Sequence, residues 1–299
     1  MRTENPPAGG ASDARAARDR LSAARFAAAA AVLAIVGAVA IASMPAPRAP
    51  VPSAPGSSGA LQLYYESGFP TPGEEPLERP VGVAVMADRV YVADSVAGVV
   101  RIFDERGVPR SIVGSGTLSV PTYVACDAAR RQVFVTDRKA KALFVFDADG
   151  SSLRRLEVTG APAPAGRSAE ATSWEPLGVA AGEDGSIFVT DVSGRHALLL
   201  LDASGRVRRA VGGAGDDAPV VVALEYPNDV AIVGPEVWLS DSNNGRVLVF
   251  DDAGAYLRAI TVRGVVRGLA AIPGTDAAPA AVAGVDALAH DIVVWDLRG

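Results

Sequence analysis

The chain has 299 residues, 49% hydrophobic and 21% charged, with 31 Gly, 21 Pro, 2 His and 1 Cys, a composition that supports a packed core and excludes disorder throughout. His196 and His290 are too few for a three-histidine metal centre, and the single Cys126 excludes an internal disulfide, a four-cysteine site and covalent c-type haem. The net charge of −6 hides a split, six Lys+Arg against three Asp+Glu in residues 1–59 and 22 against 31 in residues 60–299; a body of that sign repels phosphate, so nucleic acid is not an expected partner.

Residues 26–44, FAAAAAVLAIVGAVAIASM, carry no charge and at ~1.5 Å per residue match the ~30 Å hydrocarbon layer, so the sequence predicts a transmembrane signal-anchor helix there. Arg15, Arg18, Arg20 and Arg25 precede it and Arg48 follows it, which places residues 1–25 in the cytoplasm and the rest outside, in the periplasm or beyond, on a single-pass inner-membrane protein. Ala34, Gly37 and Ala38 are the small residues that let a second helix approach this one closely. A cleavable signal peptide, with Ala40-Ile41-Ala42 as its small-residue signal, is the competing reading. Residues 45–59, PAPRAPVPSAPGSSG, form a Pro/Ser/Gly-rich linker that builds neither helix nor inner strand and acts as a semi-stiff stalk. The scarcity of lysine, found only at Lys139 and Lys141, together with abundant alanine, reads as a GC-rich bacterial genome.

Residues 60–299 repeat one unit five times. The copies read RPVGVAV then VYVADSVAGVVRIFDERG; VPTYVAC then VFVTDRKAKALFVFDADG; EPLGVAA then IFVTDVSGRHALLLLDASG; YPNDVAI then VWLSDSNNGRVLVFDDAG; and VRGLAAI then AVAGVDALAHDIVVWDLRG. One aspartate ends a short β-rich run and a second ends the next: Asp94/Asp104, Asp137/Asp147, Asp191/Asp202, Asp241/Asp251 and Asp286/Asp296, with separations of 10, 10, 11, 10 and 10. Copies recur after 43, 54, 50 and 45 residues, the spacing of four-stranded propeller blades. Each supplies strands a, b and c, and usually a fourth after the second aspartate, such as Ser111-Ile112-Val113. The fold class is therefore all-β, a β-propeller of four-stranded antiparallel blades, five counted and six possible, behind one N-terminal transmembrane helix. The fifth copy stops after strand c, and Leu61-Gln62-Leu63-Tyr64-Tyr65-Glu66 is a strand with no a, b or c before it, so it is expected to pair with the strand around Ile292-Trp295 and close the ring.

These units resemble the NHL-repeat β-propellers, whose repeat runs roughly Pro-x-Gly-Val-Ala-Val, a turn, Tyr-Val-Ala-Asp-Ser, a loop with Asn and Arg, then Val-x-Val-Phe-Asp. The resemblance covers about residues 61–299, with Asp241-Ser242-Asn243-Asn244-Gly245-Arg246 matching the loop best; Val99, Ala142 and Asp291 stand where its arginine would be. It implies a protein-binding or assembly module rather than an enzyme. Five equivalent aspartates cannot converge on one substrate, and their expected work is to accept turn N–H groups. Cys126 reads as a small hydrophobe of strand a, and neither histidine has triad partners.

Two sets of candidate residues remain. Tyr226-Pro227-Asn228-Asp229-Val230 with Ser240-Asp241-Ser242 resembles the calcium-dependent gluconolactonase-like propellers, which makes a lactone or ester hydrolase with Asn228 and Asp241 on Ca2+ the alternative to a cofactor-free binding protein. The connectors between strands d and a share a face with the b–c loops and gather Trp174, Glu175, Asp216, Asp217 and Tyr226 there. That acidic, aromatic face is the expected docking surface for protein partners in or at the same membrane, and a small-molecule substrate is not expected. Arg138 and its basic neighbours in the second copy read as a solvated strand edge.

Overall fold

The computed structural model describes residues 70, 75–161, 174–193, 195–212, 222–274 and 280–297. Among the described residues, nineteen strands fall into five antiparallel sheets. The first is β1 (Pro80–Met86), β2 (Arg89–Asp94), β3 (Val99–Asp104) and β4 (Pro109–Val113); the second is β5 (Pro121–Asp127), β6 (Gln132–Asp137), β7 (Ala142–Asp147) and β8 (Arg154–Leu156). The third is β9 (Pro176–Ala181), β10 (Ile187–Asp191), β11 (Ala197–Leu201) and β12 (Val207–Gly212); the fourth is β13 (Pro227–Val233), β14 (Glu236–Asp241), β15 (Arg246–Asp251) and β16 (Tyr256–Thr261). β17 (Val266–Ile272), β18 (Ala281–Asp286) and β19 (Asp291–Asp296) make a fifth, three-stranded sheet. The all-β propeller with five blades is therefore the observed fold. The predicted transmembrane helix, residues 1–25, the linker, and the closing strand at residues 61–66 lie outside the described residues, and no helix among the described residues is long and apolar enough to cross a membrane.

The three middle blades pack both faces against neighbouring blades, and the strands are unbroken β-branched and aromatic runs rather than alternating ones. The residue three before the first aspartate shows the rule: Tyr91, Phe134, Phe188 and Trp238 each fill the apolar layer between their blade and the next. The inner strands pack side by side in the order β1, β5, β9, β13, β17. Among the described residues, no comparable packing joins β17 back to β1.

The inner strands are bulged near their start, with register shifts at Pro80/Gly82, Pro121/Val124, Pro227/Val230 and Val266/Gly268. Hydroxyls one residue before the first aspartate take up the backbone groups this frees. Tyr123 N donates to Thr136 Oγ1 (3.1 Å), which donates to Leu177 O of the next blade (2.6 Å); Gly178 N donates to Thr190 Oγ1 (2.7 Å), and Asp229 N to Ser240 Oγ (2.9 Å). Gly82 and Gly178 stand where these bulged strands nearly touch: a Cβ would lie 2.5 Å from Thr122 O and 2.6 Å from Asp229 Cα.

Candidate docking face and central channel

The start of each inner strand lies beside the first aspartate of its own blade, as in the pairing of Pro80 with Asp94, so b–c loops and d–a connections share one face, here the loop face. All five first aspartates, Asp94, Asp137, Asp191, Asp241 and Asp286, are buried there. Each holds the chain entering its inner strand: Arg79 N donates to Asp94 (2.9 Å), Val120 N to Asp137 (3.1 Å), Glu175 N to Asp191 (3.0 Å), Glu225 N to Asp241 (2.7 Å) and Val265 N to Asp286 (3.2 Å). The second aspartates brace c–d turns, as where Asp104 accepts from Arg106 N and Val108 N. The expected turn role is thus what the hydrogen bonds show, extended to clamping the d–a connections.

Buried carboxylates need compensation, and three have it from arginines at three different positions. Arg246 Nε lies 2.7 Å from Asp241, Arg195 Nη1 2.5 Å from Asp191, and Arg101 Nε 3.6 Å from Asp94. Arg101 comes two residues after the expected loop position at Val99, and Arg195 precedes its strand altogether. Asp137 and Asp286 rely on backbone donors, three residues each.

With the d–a connections pinned, a strip forms across the second, third and fourth blades. Trp174 Nε1 donates to Lys141 O (2.7 Å), and Glu175 pairs with Arg138, whose other amino group donates to Tyr226 Oη at 3.1 Å. The Tyr226 ring meets His196 edge to face at 6.3 Å. The bond from Glu175 holds the Arg138 guanidinium above its ordinary pKa, so the strip's cation is permanent. Trp174, Glu175 and Tyr226 are linked through Arg138, while Asp216 and Asp217, like Ala34, Gly37 and Ala38, lie outside the described residues. Arg138 and His196 are strip members that sequence reading missed; the available signal was that each occupies a b–c loop facing the next d–a connection.

The third residues of four inner strands, Gly82, Tyr123, Asp229 and Gly268, with Val179 from β9, border a cavity of about 60 Å³ at the axis. Tyr123 Oη donates to Arg267 O (2.9 Å), and Asp229 accepts from Val230 N (2.9 Å) and Leu269 N (2.8 Å). Burial outweighs those two donors and pushes the Asp229 carboxyl up to about 8. The sequence had singled out Asn228, but the bulge between Pro227 and Val230 turns Asp229 to the axis instead. Asn228 Nδ2 donates to Ser242 Oγ (2.6 Å), while Asp241 accepts from Glu225 N, Asn244 Nδ2 and the Arg246 guanidinium. A carboxylate already neutralised by arginine, beside an amide turned to a hydroxyl, does not fit a divalent-cation site, and no group of three or more metal-ligating side chains occurs among the described residues. Cys126 is half-buried against the layer between the first two blades, where burial raises its thiol pKa.

No family model matches the chain, and no curated protein matches it. Among solved structures it is similar to a chain in the crystal structure of a nidogen/laminin complex, with a TM-score of 0.58, 18% identity, and coverage of 75% of this chain and 78% of that one. That likeness shows the propeller fold.

Proposed function

We propose that this protein is a membrane-anchored, exported NHL-like propeller that binds other proteins through its loop face, as an accessory or assembly subunit of a membrane-associated complex. The observation that carries the reading is the strip of Trp174, Glu175, Arg138, Tyr226 and His196. Its members come from three blades and are held in place by buried aspartate clamps, so a partner meets a preorganised surface and spends little on ordering it. Tyr, Trp and Arg are the side chains that dominate binding energy at such surfaces. The binding of laminin by nidogen, in the complex named above, gives a precedent for a chain of this fold within a protein assembly. The NHL reading rests on the repeat itself and on the Asp241–Arg246 pair, which closes the loop that best matches the family pattern. Anchoring would raise the effective concentration of the loop face near partners held at the same membrane. The test is mild-detergent extraction of the full-length protein from its native membrane, with mass spectrometry of what co-purifies in fixed ratio. A stoichiometric partner lost on Arg138→Glu supports the reading; recovery of the chain alone, or of a partner indifferent to that substitution, overturns it.

A further inference from the structure

The fourth strands of the first four blades, β4, β8, β12 and β16, lie on the rim of the propeller and read PRSIV, RRL, VRRAVG and YLRAIT. They hold six arginines and no carboxylate, on a body whose residues 60–299 carry 31 Asp+Glu against 22 Lys+Arg. Charge of either sign guards a sheet edge against pairing, so a rim of one sign points to a partner of the other. Two of the arginines are already spent: Arg110 lies 2.6 Å from Asp104, and Arg258 grips both oxygens of Glu236 at 2.6 and 2.9 Å. Arg155 and Arg208 meet Glu157 and Asp202 only at 3.6 and 3.7 Å, and their side chains are 52% and 67% exposed. Arg154 and Arg209 are exposed as well.

Between the third and fourth blades this charge meets apolar surface. Arg209 Nη1 donates to Ala253 O (3.0 Å) in the turn that feeds β16, and a Cβ on Gly254 of that turn would lie 3.2 Å from Arg209 Cδ. Just beyond the turn, Tyr256 and Leu257 are 38% and 47% exposed, with the Tyr256 ring braced edge to face on Phe250 at 6.2 Å. Arg208, Arg209, Tyr256 and Leu257 therefore form one patch, flanked on the turn face by Asp202 and the exposed Asp252. Such a surface suits the boundary of a bilayer: guanidinium on phosphate, phenol at headgroup level, and an aliphatic side chain just below it.

We propose that the β12–β16 edge lies on an anionic phospholipid surface, with Arg208 and Arg209 on headgroup phosphates and Tyr256 and Leu257 at the interface. A bilayer is favoured over an acidic protein because the anchor proposed above holds one within reach. Residues 45–74, thirty in number, have a contour of about 100 Å, more than the roughly 45 Å breadth of a body of this size. The strands of a blade run between the loop face and the turn face, so an edge laid on the bilayer sets the propeller axis in the membrane plane. The strip of Arg138, Glu175 and Tyr226 then faces sideways along the membrane, toward partners held in the same bilayer. The choice of a bilayer and this orientation rest on the anchored reading; the chemistry of the patch does not.

The test uses the full-length, detergent-extracted protein with Cys126→Ala, mixed with lipid nanodiscs of phosphatidylcholine alone or with one-third phosphatidylglycerol, each containing a headgroup nitroxide lipid. A fluorophore is placed at Ala259→Cys, exposed on β16, or at Ile112→Cys, 55% exposed on β4. In a ring of five blades the first stands opposite the junction of the third and fourth, so Ile112 is the reference. The expected result is quenching at position 259 that needs phosphatidylglycerol and weakens at high salt, with position 112 unquenched in both discs. Arg208→Gln with Arg209→Gln should lower the ratio of edge-bound to free protein by about 25-fold, roughly fivefold per arginine, and Arg208→Lys with Arg209→Lys should restore most of it. No quenching at position 259 with phosphatidylglycerol, or equal quenching at both positions, overturns the proposal. A co-purifying protein lost on the double glutamine variant while quenching is unchanged places an acidic protein at this edge and overturns it too. Co-elution with phosphatidylcholine discs reads the anchor separately, so failure of the anchored reading is distinct from failure of the lipid edge.

Discussion

Arg195 is the sharpest lever on the aspartate clamps. Its side chain is 4% exposed and that of Asp191 0%, with Nη1 2.5 Å from Oδ2. Arg195→Leu keeps most of the apolar stem but strands a buried carboxylate, a change that costs about 3–5 kcal/mol when nothing else compensates. Asp191 retains the N–H groups of Glu175 and Ser193, so the lower end, about 3 kcal/mol, is expected. For a folded body of roughly 220 residues that is a fall in Tm of about 6–12 °C. Adding Asp191→Asn to Arg195→Leu should recover part of the loss, because the stranded charge is gone. Arg110→Ala breaks a surface pair with Asp104, the arginine side chain being 58% exposed, and should cost under about 1 kcal/mol. Urea denaturation of the four proteins decides the matter. A loss below about 1 kcal/mol for Arg195→Leu, or a double variant less stable than the single, would refute the idea that arginine compensates the buried carboxylate.

Three further outcomes are expected. Thr136→Val removes both the acceptor for Tyr123 N and the donor to Leu177 O, so chemical denaturation should show a loss of about 1–3 kcal/mol with the fold intact. Asp229 binds its proton more tightly folded than unfolded, since its carboxyl rises from 3.8 to about 8. The folded state then holds the extra proton between those values, and stability conferred by this group falls as pH rises through that window. The stability of Asp229→Asn relative to wild type should therefore climb from pH 4.5 to 7.5, and a gap constant with pH would contradict the assignment. Arg138→Glu places like charge on Glu175 at a half-exposed site; its Tm should stay within about 3 °C of wild type while partner recovery collapses.

Strand positions were legible because burial on both blade faces demands continuous β-branched runs, and the aspartates were legible because one turn geometry recurs five times. The arginines were not. A guanidinium on a long stem reaches the same carboxylate from positions 101, 195 or 246, so no single spacing marks it. Asp229 escaped notice for a different reason: strict alternation assigns side-chain direction by counting, and a bulge between Pro227 and Val230 breaks the count. Trp174, Glu175 and Tyr226 could be grouped from topology alone, but their link through Arg138 required knowing which way a b–c loop leans.

The central claim is that partners bind the loop face, and a photo-crosslinking amino acid placed at position 226 in the membrane-embedded protein tests it most directly. The same probe at Asp252, on the turn face, is the reference. The account predicts one discrete adduct from position 226 and none from position 252; adducts from position 252 alone, or equally from both, would contradict it.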